Sequence, residues 1–416
     1  MKCWSGAESG VSTGSKLIVV IAGYAPSLIN FRGPLLRSMV AAGHRVIACA
    51  PEKDLAVERK LGDMGVHYHA IQMRRAGLTP GSDVVWLLRF YRLLRRCRPD
   101  AVFAYTAKPV IFGSLAARAA GVPAVASMIT GLGYSLVGPR LLRQANRWLY
   151  RAALSGNDVV FFQNADDLQV FRSLGIVPPD AERPRAIVTN GSGIDLDHYA
   201  EAPTTGASAP GSIVFLLIAR LLRDKGIVEY VEAARRLKRR YPGARFQLVG
   251  FFDVNPAALT RQDVDAWVRE GVIEFAGETN DVRPFLRNCD VYVLPSYREG
   301  TPRTVLEAMA TGRPVITTDA PGCRETVATH GDRPARSASG VLEGLNGFLV
   351  PVRNAAALAE AMERFVVAPD LIATMGRRGR DYAEQRYDVH RVNDVVLSGM
   401  NLARTTARVA LAGAWS

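Results

Sequence analysis

A chain of 416 residues is long enough for two domains with separate cores, and 48% hydrophobic with 22% charged residues is an ordinary balance for a globular protein. No apolar run approaches the roughly 20 residues of a membrane span, the first residues lack the apolar core of a signal peptide, and five scattered cysteines show no metal-ligand spacing. The expectation is a cytoplasmic chain with ordinary thiols, whose net charge of +13 calls for an anionic partner.

Residues 1–15 are polar and rich in Gly and Ser, the composition of a flexible tail. The first domain is predicted over 16–200 and opens on a strand at 16–23. A turn region at 24–33 follows, then a helix that Gly43 ends. Further strands are predicted at 44–50, 66–71, 101–105, 124–128, 158–162 and 186–189, with helical patterns between most of them. This alternation predicts an α/β fold, a parallel sheet with helices on both faces. Ligands of such sheets bind beyond the carboxyl ends of the strands, so the first turn is a candidate site. It carries no Gly-x-Gly-x-x-Gly fingerprint, and neither a Walker-type loop nor a His-Glu-x-x-His pair occurs in the chain. The loop Ile129-Thr130-Gly131-Leu132-Gly133-Tyr134 follows a predicted strand; its glycines allow close backbone approach to a ligand, or simply a flexible connection. Phe162-Gln163-Asn164-Ala165-Asp166-Asp167 reads as a helix-capping device.

The basic residues concentrate at 84–96 and 140–151, where Arg alternates with apolar and aromatic residues at helical spacing. That pattern suits a helix resting on an anionic bilayer. It equally suits a helix that covers a sheet with one face and shows Arg to water. Nucleic acid is a third use for the charge, with no recognised motif beside it.

A run rich in Pro, Thr, Ser, Gly and Ala predicts an interdomain linker at 201–211. The alternation then restarts, predicting a second domain at 212–387 with strands at 212–219, 245–249, 272–276, 290–294, 314–318 and 347–351. Arg220 at the first strand end and Lys225 five residues on could grip two oxygens of one diphosphate, or stand solvated in a surface turn. Residues 330–343 are irregular enough to be an insertion loop.

The most informative stretch is Ser296-Tyr297-Arg298-Glu299-Gly300-Thr301-Pro302-Arg303-Thr304-Val305-Leu306-Glu307-Ala308-Met309-Ala310-Thr311-Gly312-Arg313-Pro314, which follows a buried strand. It reads as turn, helix and stop, with Thr301 as N-cap, Pro302 as first helical residue and Gly312 as terminator. The N–H groups of the first helical turn and the helix dipole make an anion site. Glu299 and Glu307 bracket it, and carboxylates accept well from sugar hydroxyls. One anion site flanked by two hydroxyl acceptors suits a sugar nucleotide, although either Glu alone would read as a solvated residue.

The frame Tyr-Arg-Glu-Gly-x-Pro-Arg-x-x-Leu-Glu-Ala-Met-Ala, with seven residues between Glu299 and Glu307, closely resembles the signature of family 4 retaining glycosyltransferases. Within them it is most similar to the bacterial capsule, O-antigen and glycan-assembly branch, over residues 16–387. The resemblance implies the GT-B architecture: two doubly wound Rossmann-like domains facing a central cleft, with helices of 388–416 crossing back onto the first. It implies that Arg220 and Lys225 bind the donor diphosphate and neutralise the leaving group. Glu299 would hold hydroxyls of the donor sugar and Glu307 those of the ribose. Gly300, Thr301, Pro302, Arg303 and Thr304 would lie near the phosphates, and Gly250, Phe251, Thr279 and Val282 near the base. Arg220, Lys225 and Glu299 are the expected catalytic residues. On the acceptor side the candidates are Ser27 and Asn30 of the first turn with Thr130 and Gly131, the Thr-Gly-Leu-Gly-Tyr motif recurring in capsule-type enzymes. Many family members place a His there, and this chain does not.

The implied reaction is retaining transfer of a hexose or N-acetylhexosamine from a nucleotide-diphosphate sugar, with uridine favoured, to a polyprenyl-diphosphate-linked saccharide. It would run at the inner face of the plasma membrane, with no metal or other cofactor. A sugar-nucleotide epimerase or hydrolase of the same fold is the first rival and would need acidic and His groups suited to hydrolysis. A basic nucleic-acid-binding protein and a non-enzymatic scaffold are the others, and neither uses the Glu pair.

Overall fold

The computed structural model describes residues 14–72, 80–132, 140–179, 182–203, 212–253, 255, 257–329, 331 and 336–403. The chain forms two compact units, residues 1–192 with 390–416, and residues 193–389.

The first unit is built on seven strands: β1 (Leu17–Ile21), β2 (Arg45–Ala50), β3 (Val66–Ala70), β4 (Ala101–Tyr105), β5 (Ala124–Ile129), β6 (Val159–Phe162) and β7 (Arg185–Val188). They run parallel in the order β3-β2-β1-β4-β5-β6-β7. β1, β4 and β6 are buried at every residue, as a continuous apolar run between two helical layers requires. The last described helix, Val389–Gly399, brings Val396 and Leu397 into this unit's core beside Phe103 and Phe161.

The predicted turn at 24–33 is a correction. Ala25–Asn30 is a helical turn and a second helix, Gly33–Ala41, follows almost directly. Pro26 and Pro34 sit in the first turns of these helices, where their missing N–H costs nothing and their fixed φ is helical. The Arg-rich stretches are helices too. Pro80–Cys97 buries Trp86, Phe90 and Leu94, four residues apart on one face, and leaves Val84, Val85 and Leu88 about half exposed. Arg140–Leu154 buries Tyr150, Ala153 and Leu154 and shows Trp148 to solvent at 68%. Both helices therefore cover the sheet with one stripe, and both leave apolar side chains among the outward arginines. Asn164 caps the Ala165–Ser173 helix through the Asp167 amide (2.7 Å), as its position in the sequence predicts.

The second unit repeats the plan with β8 (Val214–Ile218), β9 (Arg245–Val249), β10 (Glu274–Gly277), β11 (Val291–Leu294), β12 (Val315–Thr318), β13 (Leu342–Glu343) and β14 (Gly347–Val350), in the order β10-β9-β8-β11-β12-β14-β13. All pairs are parallel except the edge pair β13–β14. That edge strand comes from the stretch read as an insertion loop; residues 330 and 332–335 of it lie outside the described residues.

This unit begins at Gly193 rather than after the Pro- and Ser-rich run, most of which (204–211) lies outside the described residues. Long-range bonds set the boundary. The Ile194 amide donates to Tyr387 O (2.7 Å) and the Val389 amide donates back to Ile194 O (3.0 Å). The Arg380 guanidinium donates to the carbonyls of Leu196, Tyr199 and Ala310, and Arg313 donates to Pro203 O. Residues 193–203 are thus strapped onto the helices Arg303–Ala310 and Asp370–Arg386.

Candidate functional site

In the second sheet the order reverses between β8 and β11, and an α/β sheet opens a crevice beyond its strand ends at such a point. Every donor-side residue singled out by sequence follows the carboxyl end of one of four adjacent strands: Arg220 and Lys225 after β8, Gly250 and Phe251 after β9, Thr279 and Val282 after β10, and residues 299–307 after β11.

Lys225 closes a single 3-10 turn, Arg223–Lys225, and the chain escapes it through Gly226 at φ +71°. A β-carbon on Gly226 would lie 2.1 Å from Pro295 O, so glycine is required here for space as well as for backbone conformation. The Tyr297 amide donates to Asp224 O (2.8 Å), which stitches the loops after β8 and β11 together. As a result Lys225 Nζ meets Glu299 Oε1 at 2.5 Å, with side-chain exposures of 13% and 18%. Ser296 Oγ donates to the same oxygen at 2.8 Å. The Glu299 amide in turn donates to Pro321 O (3.0 Å), and Gly322, at φ +81°, packs where a β-carbon would come within 2.2 Å of Glu299 O.

The helix begins one residue later than its sequence suggests. Pro302 is the N-cap and Arg303 the first helical residue, while Thr301 Oγ1 donates to Gly300 O instead of capping. Arg303–Ala310 buries its whole second turn, including Glu307, which is 5% exposed. Glu307 Oε1 accepts from Tyr199 Oη (2.8 Å) and from Arg303 Nε (2.9 Å). Burial pushes the Glu307 carboxyl above the ordinary carboxylate range, against the opposing pull of Arg303 and of the Tyr199 hydrogen bond. Tyr292 of β11 feels both acids: its hydroxyl, hydrogen-bonded to Thr304 and to Ile218 O, is raised by burial and by the charges of Glu307 and Glu299.

The remaining candidates are arranged differently from expectation. Arg220 does not join Lys225; its guanidinium pairs with Asp253 (3.1 Å) and is half exposed. Arg303 faces Glu307 rather than a bare phosphate site. Gly250 packs under Ala219 O, Phe251 is 40% exposed, and Thr279 Oγ1 is turned onto Asp281 O within its own loop. Val282 is the N-cap of Arg283–Asn288. In the first unit Ser27 is buried, its hydroxyl engaged with Tyr24 O and Tyr105 Oη (2.8 Å), so it is not presented to a ligand as a turn residue would be. Asn30 ends its short helix exposed, while Thr130 and Gly131 are half-buried, the latter at φ +126°; Gly133 and Tyr134 lie outside the described residues. Sequence reasoning did not assign Ser296, Asp253 or Tyr199. Tyr199 meets Glu307 from 108 residues away, which no local pattern encodes.

Two doubly wound parallel sheets in one chain are the plan of the GT-B fold. The crystal structure of Anabaena HepE in complex with UDP and glucose superposes with a TM-score of 0.70 at 18% identity, over 93% of this chain and 99% of that one. The profile described as "Glycosyl transferases group 1" matches residues 212–367, and the "Glycosyl transferase 4-like domain" matches 32–189, together about three quarters of the chain. The protein belongs to this family and is a glycosyltransferase. Among curated relatives, an N,N'-diacetylbacillosaminyl-diphospho-undecaprenol alpha-1,3-N-acetylgalactosaminyltransferase of Campylobacter jejuni is 28% identical over 315 residues, 73% of this chain and 80% of the relative. A UDP-Gal:alpha-D-GlcNAc-diphosphoundecaprenol alpha-1,3-galactosyltransferase of Escherichia coli is 28% identical over 251 residues, covering 58% of this chain and 63% of its own length.

Proposed function

We propose that this glycosyltransferase moves a hexose or N-acetylhexosamine, with retention, from a UDP-linked donor to a polyprenyl-diphosphate-linked saccharide in cell-surface polysaccharide assembly. The observation that carries the reading is the Lys225–Glu299 contact at the switch point of the second sheet. A cation and a hydroxyl acceptor side by side match a phosphate joined to a sugar. The names of the two curated relatives, both acting on undecaprenol-diphosphate saccharides, support the acceptor class.

Breaking the anomeric C–O bond leaves positive charge on the sugar and negative charge on the departing diphosphate. Lys225 faces that negative charge, with Arg220 able to swing from the exposed Asp253 pair to join it and the start of the Arg303–Ala310 helix adding its dipole. This stabilisation requires no metal. Glu299 then accepts from the donor sugar and Glu307 from the ribose. The acceptor is assigned to the first unit, whose outward arginines interleaved with Trp148, Val84, Val85 and Leu88 suit the anionic inner face of a membrane. Among the described residues no helix is long and apolar enough to cross one.

The test is release of UDP from UDP-sugars with and without a synthetic polyprenyl-diphosphate saccharide. Acceptor-dependent release with a glycosylated lipid product is expected. Release that is equal in both arms, with a free or epimerised sugar, would replace the reading with the hydrolase or epimerase one.

A further inference from the structure

We infer that Tyr199 is a positioning residue for donor recognition: it fixes the Glu307 carboxylate so that a single oxygen is offered to the nucleotide's ribose. The inference rests on the assignment of Glu307 to the ribose.

Both donors to Glu307 converge on Oε1, Tyr199 Oη at 2.8 Å and Arg303 Nε at 2.9 Å, and the Tyr199 and Arg303 side chains are themselves hydrogen-bonded. Oε2 has no hydrogen-bond partner among the described residues. A carboxylate bound on one oxygen from two directions can no longer rotate about its last side-chain torsion, which is otherwise soft and roughly two-fold. Tyr199 is itself immobilised. It is 7% exposed, its carbonyl accepts from Arg380 (3.0 Å), and its amide donates to Asp195 O (3.0 Å). Arg380 also holds Ala310 O (2.7 Å), at the end of the helix that carries Glu307. The phenol and the carboxylate are therefore clamped to one guanidinium, one through the strap and the other through the helix. A positioned acceptor discriminates sharply between a ligand that supplies a hydroxyl and one that does not, because a missing partner leaves a buried charge unpaired.

The test measures dissociation constants of UDP, GDP and their 2'-deoxy and 3'-deoxy counterparts by calorimetry, for the wild type, Tyr199→Phe, Glu307→Gln and the double variant. The wild type is expected to prefer one ribose diphosphate over its deoxy counterpart by roughly 10- to 100-fold, the range of a hydrogen bond to a buried charge. In Tyr199→Phe that preference should fall several-fold, while affinity for the deoxy ligand stays within about threefold of the wild type. In the Glu307→Gln background the same change should leave the preference untouched. Equal losses for ribose and deoxyribose ligands in Tyr199→Phe would reduce Tyr199 to a packing role and overturn the inference. So would an unchanged preference. A wild type that does not discriminate at all would instead remove the ribose assignment of Glu307, and the inference with it.

Discussion

Replacing Lys225 with Ala separates a catalytic cation from a merely structural one. The pair it forms with Glu299 is 2.5 Å long and its side chains are 13% and 18% exposed, so it lies between a surface ion pair and a buried one. Surface pairs contribute ~0–1 kcal/mol, and breaking a buried pair costs about 3–5 kcal/mol. Glu299 keeps the Ser296 hydroxyl after the substitution, so a loss of about 1–2 kcal/mol is expected. For a unit of this size that corresponds to a fall of a few degrees in Tm. The effect on turnover should be far larger. Removing one preorganised group that faces charge developing in a transition state costs about 10²–10³ in kcat, some 2.7–4 kcal/mol. UDP release under saturating donor and acceptor, well below the variant's Tm, measures it directly. Glu299→Ala run in parallel frees the same cation while removing the sugar contact. If the two residues meet neighbouring groups of one donor, the double variant loses less than the sum of the single losses. A folded Lys225→Ala enzyme that keeps more than about a tenth of wild-type kcat would refute the electrostatic argument.

Glu307→Gln should raise Tm near neutral pH while lowering activity. Burial holds the Glu307 carboxyl above its ordinary value, so between that value and its raised one the folded state keeps a proton that the unfolded chain has lost. Stability therefore falls as pH rises through this window; the variant lacks that slope, and the two melting curves should converge near about pH 4. A variant that melts below the wild type at neutral pH would contradict the sign. Gly322→Ala should cost about 1–3 kcal/mol and at least tenfold in kcat. The new methyl group would meet Glu299 O at 2.2 Å and the backbone is at φ +81°; near-normal turnover would show that Glu299 tolerates displacement. Trp148→Ala should weaken sedimentation with anionic vesicles several-fold, and salt raised from about 0.1 to 1 M should abolish what remains. Unchanged binding would remove this face from the membrane.

Strands such as Ala101–Tyr105 and Val291–Leu294 are legible in the sequence because a strand buried on both faces is a short apolar run with polar ends. The turn at 24–33 was misread because Pro, Ser and Asn serve turns and first helical turns equally well, and only packing against the sheet decides between them. The same ambiguity moved the N-cap from Thr301 to Pro302. Composition marks the 201–211 run as a linker but cannot register that Ile194 pairs with Tyr387, so the boundary falls earlier. At the site, Lys225 and Glu299 were each legible as candidates, but spacing set Lys225 beside Arg220 and Glu299 beside Glu307, and their contact with each other was not legible. That Arg220 would turn to Asp253, and that Ser27 would be buried against Tyr105, depends on side-chain contacts that spacing does not specify.

The lysine–glutamate contact has a consequence for selectivity among small anions. The cation is already paired with Glu299, so inorganic phosphate or a bare nucleotide would have to compete with that carboxylate and leave it the Ser296 hydroxyl alone. A ligand that brings a phosphate and a sugar hydroxyl together satisfies each group as it parts them. Anion affinity is thereby made conditional on the carbohydrate.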